Sequence, residues 1–440
     1  MEGRKLQSFL HNDSEAAMIR KEEGFTMVEL MITMVIFVIV IAAASQVFTG
    51  LLTQFKQQSK ISETNTEGIV GIEVIRRDLA EAGLGLPWWM TTGGTDATIG
   101  NTATYTEAIN DGGTFWDDML LNDAPNPPAA FRLLTSVGIH DSGTGNKVPN
   151  STAVVLSIKA VNVAMNDNSQ RWTYVANNGA LPNAPPKVWN SPDDVANSDL
   201  VIVLNPSNGS QQNVLQNTGG SSSFFKTLGD TTNPFSFKQS GPNYTANAFE
   251  PQVNSYGKFI VYGIAPSGVT PRMPFNRADY YVKIPSTNVP KSCAPNTGML
   301  YKGTINNTTG NSDSGKHLEL PILDCVADFQ VDFVLVDNNG NIIWPPTSNI
   351  SGLAASDIRA QVKEIRVYIV AHEGQKDINY DFSEGGARTS ISTLEVVGGT
   401  SRTLDSTNFF VDLKNLVGDP EYKYYRWKLY TLVVQPNSLR

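Results

Sequence analysis

The residues that could do chemistry in this chain are few and far apart. Its four histidines are His11, His140, His317 and His372, and neither Gly-x-Ser-x-Gly nor His-Glu-x-x-His occurs. His140-Asp141-Ser142 has the residue types of a nucleophilic relay. Adjacent positions in a glycine-rich stretch cannot form one, because the three side chains must converge from separate elements. Gly310 to Lys316 has the glycine and lysine spacing of a phosphate loop, but His317 stands where a Ser or Thr should hold magnesium, and no buried strand precedes Gly310. Asp337-Asn338-Asn339-Gly340-Asn341 begins like a calcium loop. Its closing position would be Ser348, which has no carboxylate, so a hairpin turn is the better reading. Tyr422 to Lys428 interleaves rings and cations as a single-strand-binding surface would. Strand alternation sends Tyr425 and Trp427 to one side and the cations to the other, which is the pattern of a half-buried strand. The expectation is a protein that is not an enzyme and uses no cofactor or metal.

The two cysteines, Cys293 and Cys325, lack any metal-binding spacing. If the body of the protein lies outside the cytoplasm, they are candidates for one disulfide, which the chain-entropy model values at roughly 3–4 kcal/mol. Two buried thiols are the alternative. The net charge of −9 argues against a nucleic-acid binder working through bulk electrostatics. At 440 residues the chain is long enough for one large or two modest lobes.

From Leu30 to Phe55 no residue is charged, a stretch of roughly 39 Å as helix against a hydrocarbon core of about 30 Å. Arg4, Lys5, Arg20 and Lys21 precede it and should hold the amino terminus in the cytoplasm. Three readings compete. One is a secretory peptide cut near Ala42-Ala43-Ala44, one is a plain anchor, and the third depends on the border residues Gly24-Phe25-Thr26-Met27-Val28-Glu29-Leu30. An ionisable group such as Glu29 at the start of a membrane helix costs about 2–3 kcal/mol unless paired, which makes it a functional residue by default.

This border resembles the type IV prepilin signature: a Gly, an aromatic or apolar residue, and a Glu just ahead of a long apolar helix. The resemblance implies that prepilin peptidase cuts between Gly24 and Phe25, and that Phe25 becomes the methylated amino terminus. It also implies that Glu29 meets the terminal ammonium of a neighbouring subunit and sets axial register. Two features depart from the family pattern. Glu22 and Glu23 stand where a basic residue is usual, and no proline occurs between Phe25 and Gly85. The second fits a minor pilin or pseudopilin better than a main filament subunit.

Beyond the apolar block, Phe48, Leu51, Leu52, Phe55, Ile61, Ile69, Ile72, Ile75 and Leu79 recur near a helical period. Lys56, Lys60, Glu63, Glu67, Arg76 and Asp78 fall on other faces. Gly83, Gly85 and Pro87 end the helix, so one helix is expected from Phe25 to Ala82. In the body, Ala153–Ile158, Leu200–Leu204 and Phe259–Ile264 read as buried strands, with Gln211–Phe224 as a surface loop between them. Phe329, Val331, Phe333 and Leu335 alternate with Gln330, Asp332 and Val334, giving one apolar face. Asn339-Gly340 turns the chain and Asn341–Trp344 returns. Ile365, Val367 and Ile369 mark another strand, and Tyr425, Trp427 and Leu429 the inner face of the last.

Several of these stretches resemble the PilW-like minor pilins, a branch overlapping the PulJ/GspJ pseudopilins of type II secretion. They are Arg76–Gly83, Val155–Lys159, Tyr280–Val282, Leu300–Lys302, Val326–Asp337, Glu364–Val370 and Tyr425–Val434. The fold expected is α+β: one long amino-terminal helix packed on a large antiparallel β-rich domain. Its parts are a leader (1–24), a membrane and polymerisation helix (25–55), an amphipathic continuation (56–83), a variable loop-rich region (84–254) and a β-sheet region (255–440). The resemblance implies a minor pilin that primes assembly or sits at the tip. A secretion pseudopilin or a pilus-borne adhesin using residues 92–254 is the rival. The partners implied are other major and minor pilins, prepilin peptidase and the inner-membrane assembly platform, with nucleic acid not among them. The chain is expected in the inner membrane first and at the cell surface afterwards.

Overall fold

The computed structural model describes residues 24–90, 105–109, 121–135, 154–164, 166–178, 187–189, 193–196, 199–208, 211–215, 224–227, 256–285, 289–310, 312–392, 394–397, 400–403 and 410–439. The chain divides into two compact units, Met1–Lys56 and Gln57–Arg440.

Helix α1 runs Met27–Glu81. It is followed by strands β1 (Phe131–Thr135), β2 (Val154–Ala160), β3 (Trp172–Asn178), β4 (Leu200–Asn208), β5 (Gln211–Leu215) and β6 (Lys226–Thr227). Next come β7 (Tyr256–Ala265), β8 (Asn276–Lys283), β9 (Gly298–Ile305), β10 (His317–Val336) and β11 (Ile342–Thr347). The remainder is α2 (Ala355–Gln361), β12 (Val362–Glu373), β13 (Ser390–Ser392), β14 (Leu394–Val397), β15 (Thr400–Thr403), β16 (Phe410–Asp412), α3 (Leu413–Val417) and β17 (Arg426–Val434).

Among the described residues the main sheet has the order β1-β2-β8-β9-β10-β12-β17, with β11 folded back on β10, and every pairing in it is antiparallel. A smaller sheet has the order β3-β7-β4-β5, with β6 on β4. Both sheets draw strands from either side of residue 254, so the compositional change there is not a boundary between folding units. Residues 211–215, expected in a surface loop, instead form β5, with Val214 and Leu215 buried. Backbone bonds from Trp88 N–H to Asn213 and from Leu215 N–H to the Trp89 carbonyl tie β5 to the chain leaving α1. The turn after β10 is set by Asp337, whose Oδ1 accepts the Asn339 and Asn341 backbone N–H groups at 2.9 and 2.8 Å, while Gly340 takes the positive φ.

The stretch of α1 within the second unit lies on the main sheet through Gly68, Gly71, Ile75, Asp78 and Leu79. This face corrects the expected stripe at two places. Ile69 is exposed, while Asp78 is buried. The reason is close approach: a Cβ on Gly71 would sit 1.9 Å from the Ile322 carbonyl oxygen, and one on Gly68 3.4 Å from Leu323 and Tyr430. The helix therefore seats its smallest residues on β10, which turns Ile69 to solvent. Beyond the helix, Gly83 N–H donates to Lys159 O and Val161 N–H to Leu84 O, joining the helix end to β2.

The middle of the sheet is buried on both faces. Toward α1 lie Phe329, Val331, Phe333, Val367, Ile369, Leu432 and Val434. On the other side Ala327, Tyr368, Val370, Tyr425 and Trp427 join Phe382, Leu413, Leu416 and Tyr422 in a second core. Tyr425 and Trp427 are buried as expected, in this second core with Leu429 against it, while Leu432 and Val434 supply the face of β17 toward the main core. Asp332 and Val334, placed on the polar face by alternation, are also buried. On that side Tyr368 and Val370 are covered by Phe382, Leu413 and Leu416, and a strand packed on both faces loses its polar side.

A disulfide joins Cys293 to Cys325 in this second core. Cys325 has φ of 56°, in the left-handed region, where the pairing of β10 passes from β9 to β12. Replacing both cysteines by serine is expected to cost roughly 3–4 kcal/mol, from the entropy of the unfolded loop. Urea denaturation of the full chain in detergent, oxidised wild type against the double variant, measures it.

Candidate functional site

The first unit can be built from its border residues. Gly24, Phe25 and Thr26 precede the helix, which starts at Met27. Gly24 has open space where a Cβ would be, and Phe25 is 83% exposed. The Gly24–Phe25 bond therefore lies in accessible, non-helical backbone. Thr26 and Glu29 then bond reciprocally. The Thr26 backbone N–H and hydroxyl donate to Glu29 Oε2 at 3.1 and 3.2 Å, and the Glu29 N–H donates to Thr26 Oγ1 at 3.3 Å. This is a capping box. Its sequence signal is Thr-x-x-Glu ahead of an apolar run, a second role for Glu29 beside its charge. After the box, the side chains from Leu30 to Phe55 are exposed all round the helix, and the segment is long and apolar enough to cross a membrane.

Residues 19–45 match the model of the prokaryotic N-terminal methylation motif. The chain bears the signal of type IV pilin-like proteins. That signal indicates a precursor processed by prepilin peptidase and assembled with other pilins, and the exposed apolar helix is consistent with anchoring in the inner membrane. No curated protein and no solved structure matches the chain, so the pilin-like reading rests on the motif at residues 19–45.

The second unit uses ionic groups as internal fasteners. Asp78 Oδ2 lies 2.5 Å from Lys302 Nζ on β9 and accepts the Tyr280 hydroxyl of β8 at 2.6 Å. Burial raises the Asp78 pKa, while Lys302 and the Tyr280 bond work against the rise. Thr64 Oγ1 also accepts the Gly374 N–H at 3.0 Å. The seat of α1 on the sheet is thus partly polar.

A second cluster lies among residues 105–109, 121–123, β1, β2 and β8. Lys159 Nζ is 2.7 Å from Glu107 Oε2 and 2.6 Å from Asp123 Oδ2. Arg132 grips Asp123 Oδ1 through Nε and Nη2 at 2.8 and 2.7 Å. Arg277 grips Asp279 and also reaches Glu107, and His317 Nε2 lies 2.9 Å from Asp279 Oδ2. Burial works against the charge on Asp123, but Lys159 and Arg132 outweigh it and hold its pKa below the usual carboxylate range. Sequence separations of up to 170 residues join these groups, so no local motif announces them.

The remaining chemical candidates fall into ordinary places. His317 opens β10, and β9, buried along its length, ends at Ile305 ahead of Gly310, contrary to the expectation that no buried strand precedes it; Gly315 N–H donates to Asn306 O and Lys316 pairs with Asp313. His140, Asp141 and Ser142 lie outside the described residues. Tyr422, Tyr425 and Trp427 are buried, while Arg426 pairs with Asp377 and Lys428 with Glu373. His372 lies beside the disulfide, with its nitrogen and both sulfurs within 4.8 Å of one another, a convergence the sequence did not reveal. The sulfurs are bonded to each other, so neither offers a thiolate.

His372 accepts the Ala294 N–H at Nε2, 2.8 Å away, and packs on Tyr425 and Trp427. Burial pushes its pKa down to about 3, against weaker raising contributions from the Glu373 and Gly374 backbone. The unfolded chain takes up a proton near pH 6.5 that the folded chain refuses. Stability should therefore fall as pH drops below 6.5, by up to about 1.4 kcal/mol per pH unit from this group. Denaturation between pH 6.5 and 4.5 should show a steeper loss for wild type than for His372→Gln.

Proposed function

We propose that this protein is a minor type IV pilin, cut between Gly24 and Phe25, methylated on Phe25, and required to start or cap a filament. The carrying observation is the border itself, an exposed Gly24–Phe25 bond two residues ahead of a capped apolar helix, inside a matched methylation motif. In this reading the amino terminus is cytoplasmic, the body is exported, and the helix enters a bundle of like helices drawn from the inner membrane. There the Glu29 carboxylate leaves its own cap and pairs with the Phe25 ammonium of a neighbour. Both groups are then desolvated, so the pair specifies axial register more than it adds stability. A body of this size favours a rare subunit, since it would crowd every layer of a shaft.

Deleting the chain is expected to abolish surface filaments while leaving protein secretion intact. Loss of secretion with filaments unchanged would make it a type II pseudopilin instead. Filaments of normal number that no longer adhere would make it a pilus-borne adhesin.

A further inference from the structure

The Lys159 cluster is arranged for more than an ion pair. We propose that Lys159 and Asp123 condense to an intramolecular isopeptide bond, with Glu107 as the proton-transferring catalytic residue. This inference does not rest on the reading of the amino terminus.

Three features carry it. The first is proximity: Nζ touches Asp123 Oδ2 at 2.6 Å and Glu107 Oε2 at 2.7 Å, from fixed positions on β2 and on the two segments packed over it. Reacting groups held in contact need no further encounter. The second is dryness: the side chains of Lys159 and Glu107 are 0% exposed and that of Asp123 5%. The Phe275 ring, packed edge-on against Tyr105, lies 5.9 Å from Nζ. Exclusion of water narrows the gap between the ion pair and the neutral amine and acid, and it opposes hydrolysis of the product. The third is Arg132, whose two donors hold Oδ1, the oxygen on which negative charge develops when Cγ is attacked.

The step balances without an oxidant or a co-reactant. Glu107 Oε2 takes one proton from the Lys159 ammonium and passes it to Asp123 Oδ2, leaving a neutral amine and a neutral acid. The Nζ lone pair attacks Cγ, and the electron pair displaced onto Oδ1 is held by Arg132. A second proton travels from Nζ through Glu107 to Oδ2, the Cγ–Oδ2 bond breaks, and water leaves. An amide remains, with Glu107 restored as a carboxylate that Arg277 keeps in place.

The bond links residues 36 apart, so it converts a segment carrying Asp123 into a covalent loop on β2. Intact-mass and peptide-mapping mass spectrometry of the full chain in detergent, disulfide reduced, tests it. Wild type is expected to be lighter by one water than Lys159→Arg, after allowance for the substitution itself. A branched peptide joining Lys159 to Asp123 should appear, and the water should be regained in Glu107→Gln. Faster migration of reduced, boiled wild type than of Lys159→Arg would support the same loop. Recovery of Lys159 and Asp123 on separate linear peptides from wild type would overturn the proposal, as would an amide mapped to Glu107.

Discussion

Glu29→Ala is expected to be cleaved and methylated like the wild type and then to be lost from filaments. The structure adds a complication, because Glu29 also closes a capping box with Thr26. Loss of such a box costs about 0.5–2 kcal/mol of helix stability, too little to stop a long apolar helix from forming in a membrane. Leaving a neighbour's ammonium desolvated and unpaired costs about 3–5 kcal/mol, which is roughly two to four powers of ten in an association constant. Glu29→Gln separates the two roles, since glutamine can close the box but carries no charge. Immunoblots of sheared filaments against membranes should show Gln failing as badly as Ala. Filaments that incorporate the Gln variant normally would assign Glu29 to the cap alone.

Asp78→Ala is expected to be a strongly destabilising single change at the seat of α1 on the sheet. It leaves Lys302 buried with no carboxylate in contact among the described residues and takes the acceptor from the Tyr280 hydroxyl. Breaking one side of a buried pair costs about 3–5 kcal/mol, a large part of the stability of an ordinary domain. Replacing both groups, as Asp78→Ala with Lys302→Met, removes the stranded charge and should recover much of the loss. Chemical denaturation of the full chain in detergent, followed by tryptophan fluorescence, measures both. A double variant as unstable as the single one would show that packing, not charge, sets the cost.

The sequence made some of this fold legible and hid the rest for identifiable reasons. Gly83 and Gly85 take positive φ where the helix was expected to stop, because only a residue without a side chain turns there cheaply. The strands around Val331 and Val367 followed from alternation. The rule that charge faces water fails at Asp78: its type points to an outer face, but it lies on the same side of the helix as Gly68, Gly71 and Ile75. Arg76–Gly83, Tyr280–Val282 and Leu300–Lys302 each carry a family resemblance, yet nothing in one dimension says that Asp78, Tyr280 and Lys302 touch. The Lys159 cluster was invisible for the same reason. Its members come from β1, β2, β8, β10 and two irregular segments, and their meeting is a property of sheet order. At the amino terminus nearly everything lies within a few consecutive residues, so sequence reading there came closest to chemistry.

The most direct test of the account is the amino-terminal residue of the chain recovered from cells, read by sequencing and mass spectrometry. The account predicts N-methyl-phenylalanine from Phe25, with Gly24 and everything before it removed. A chain that still begins at Met1, or one that begins at Ser45, would contradict it.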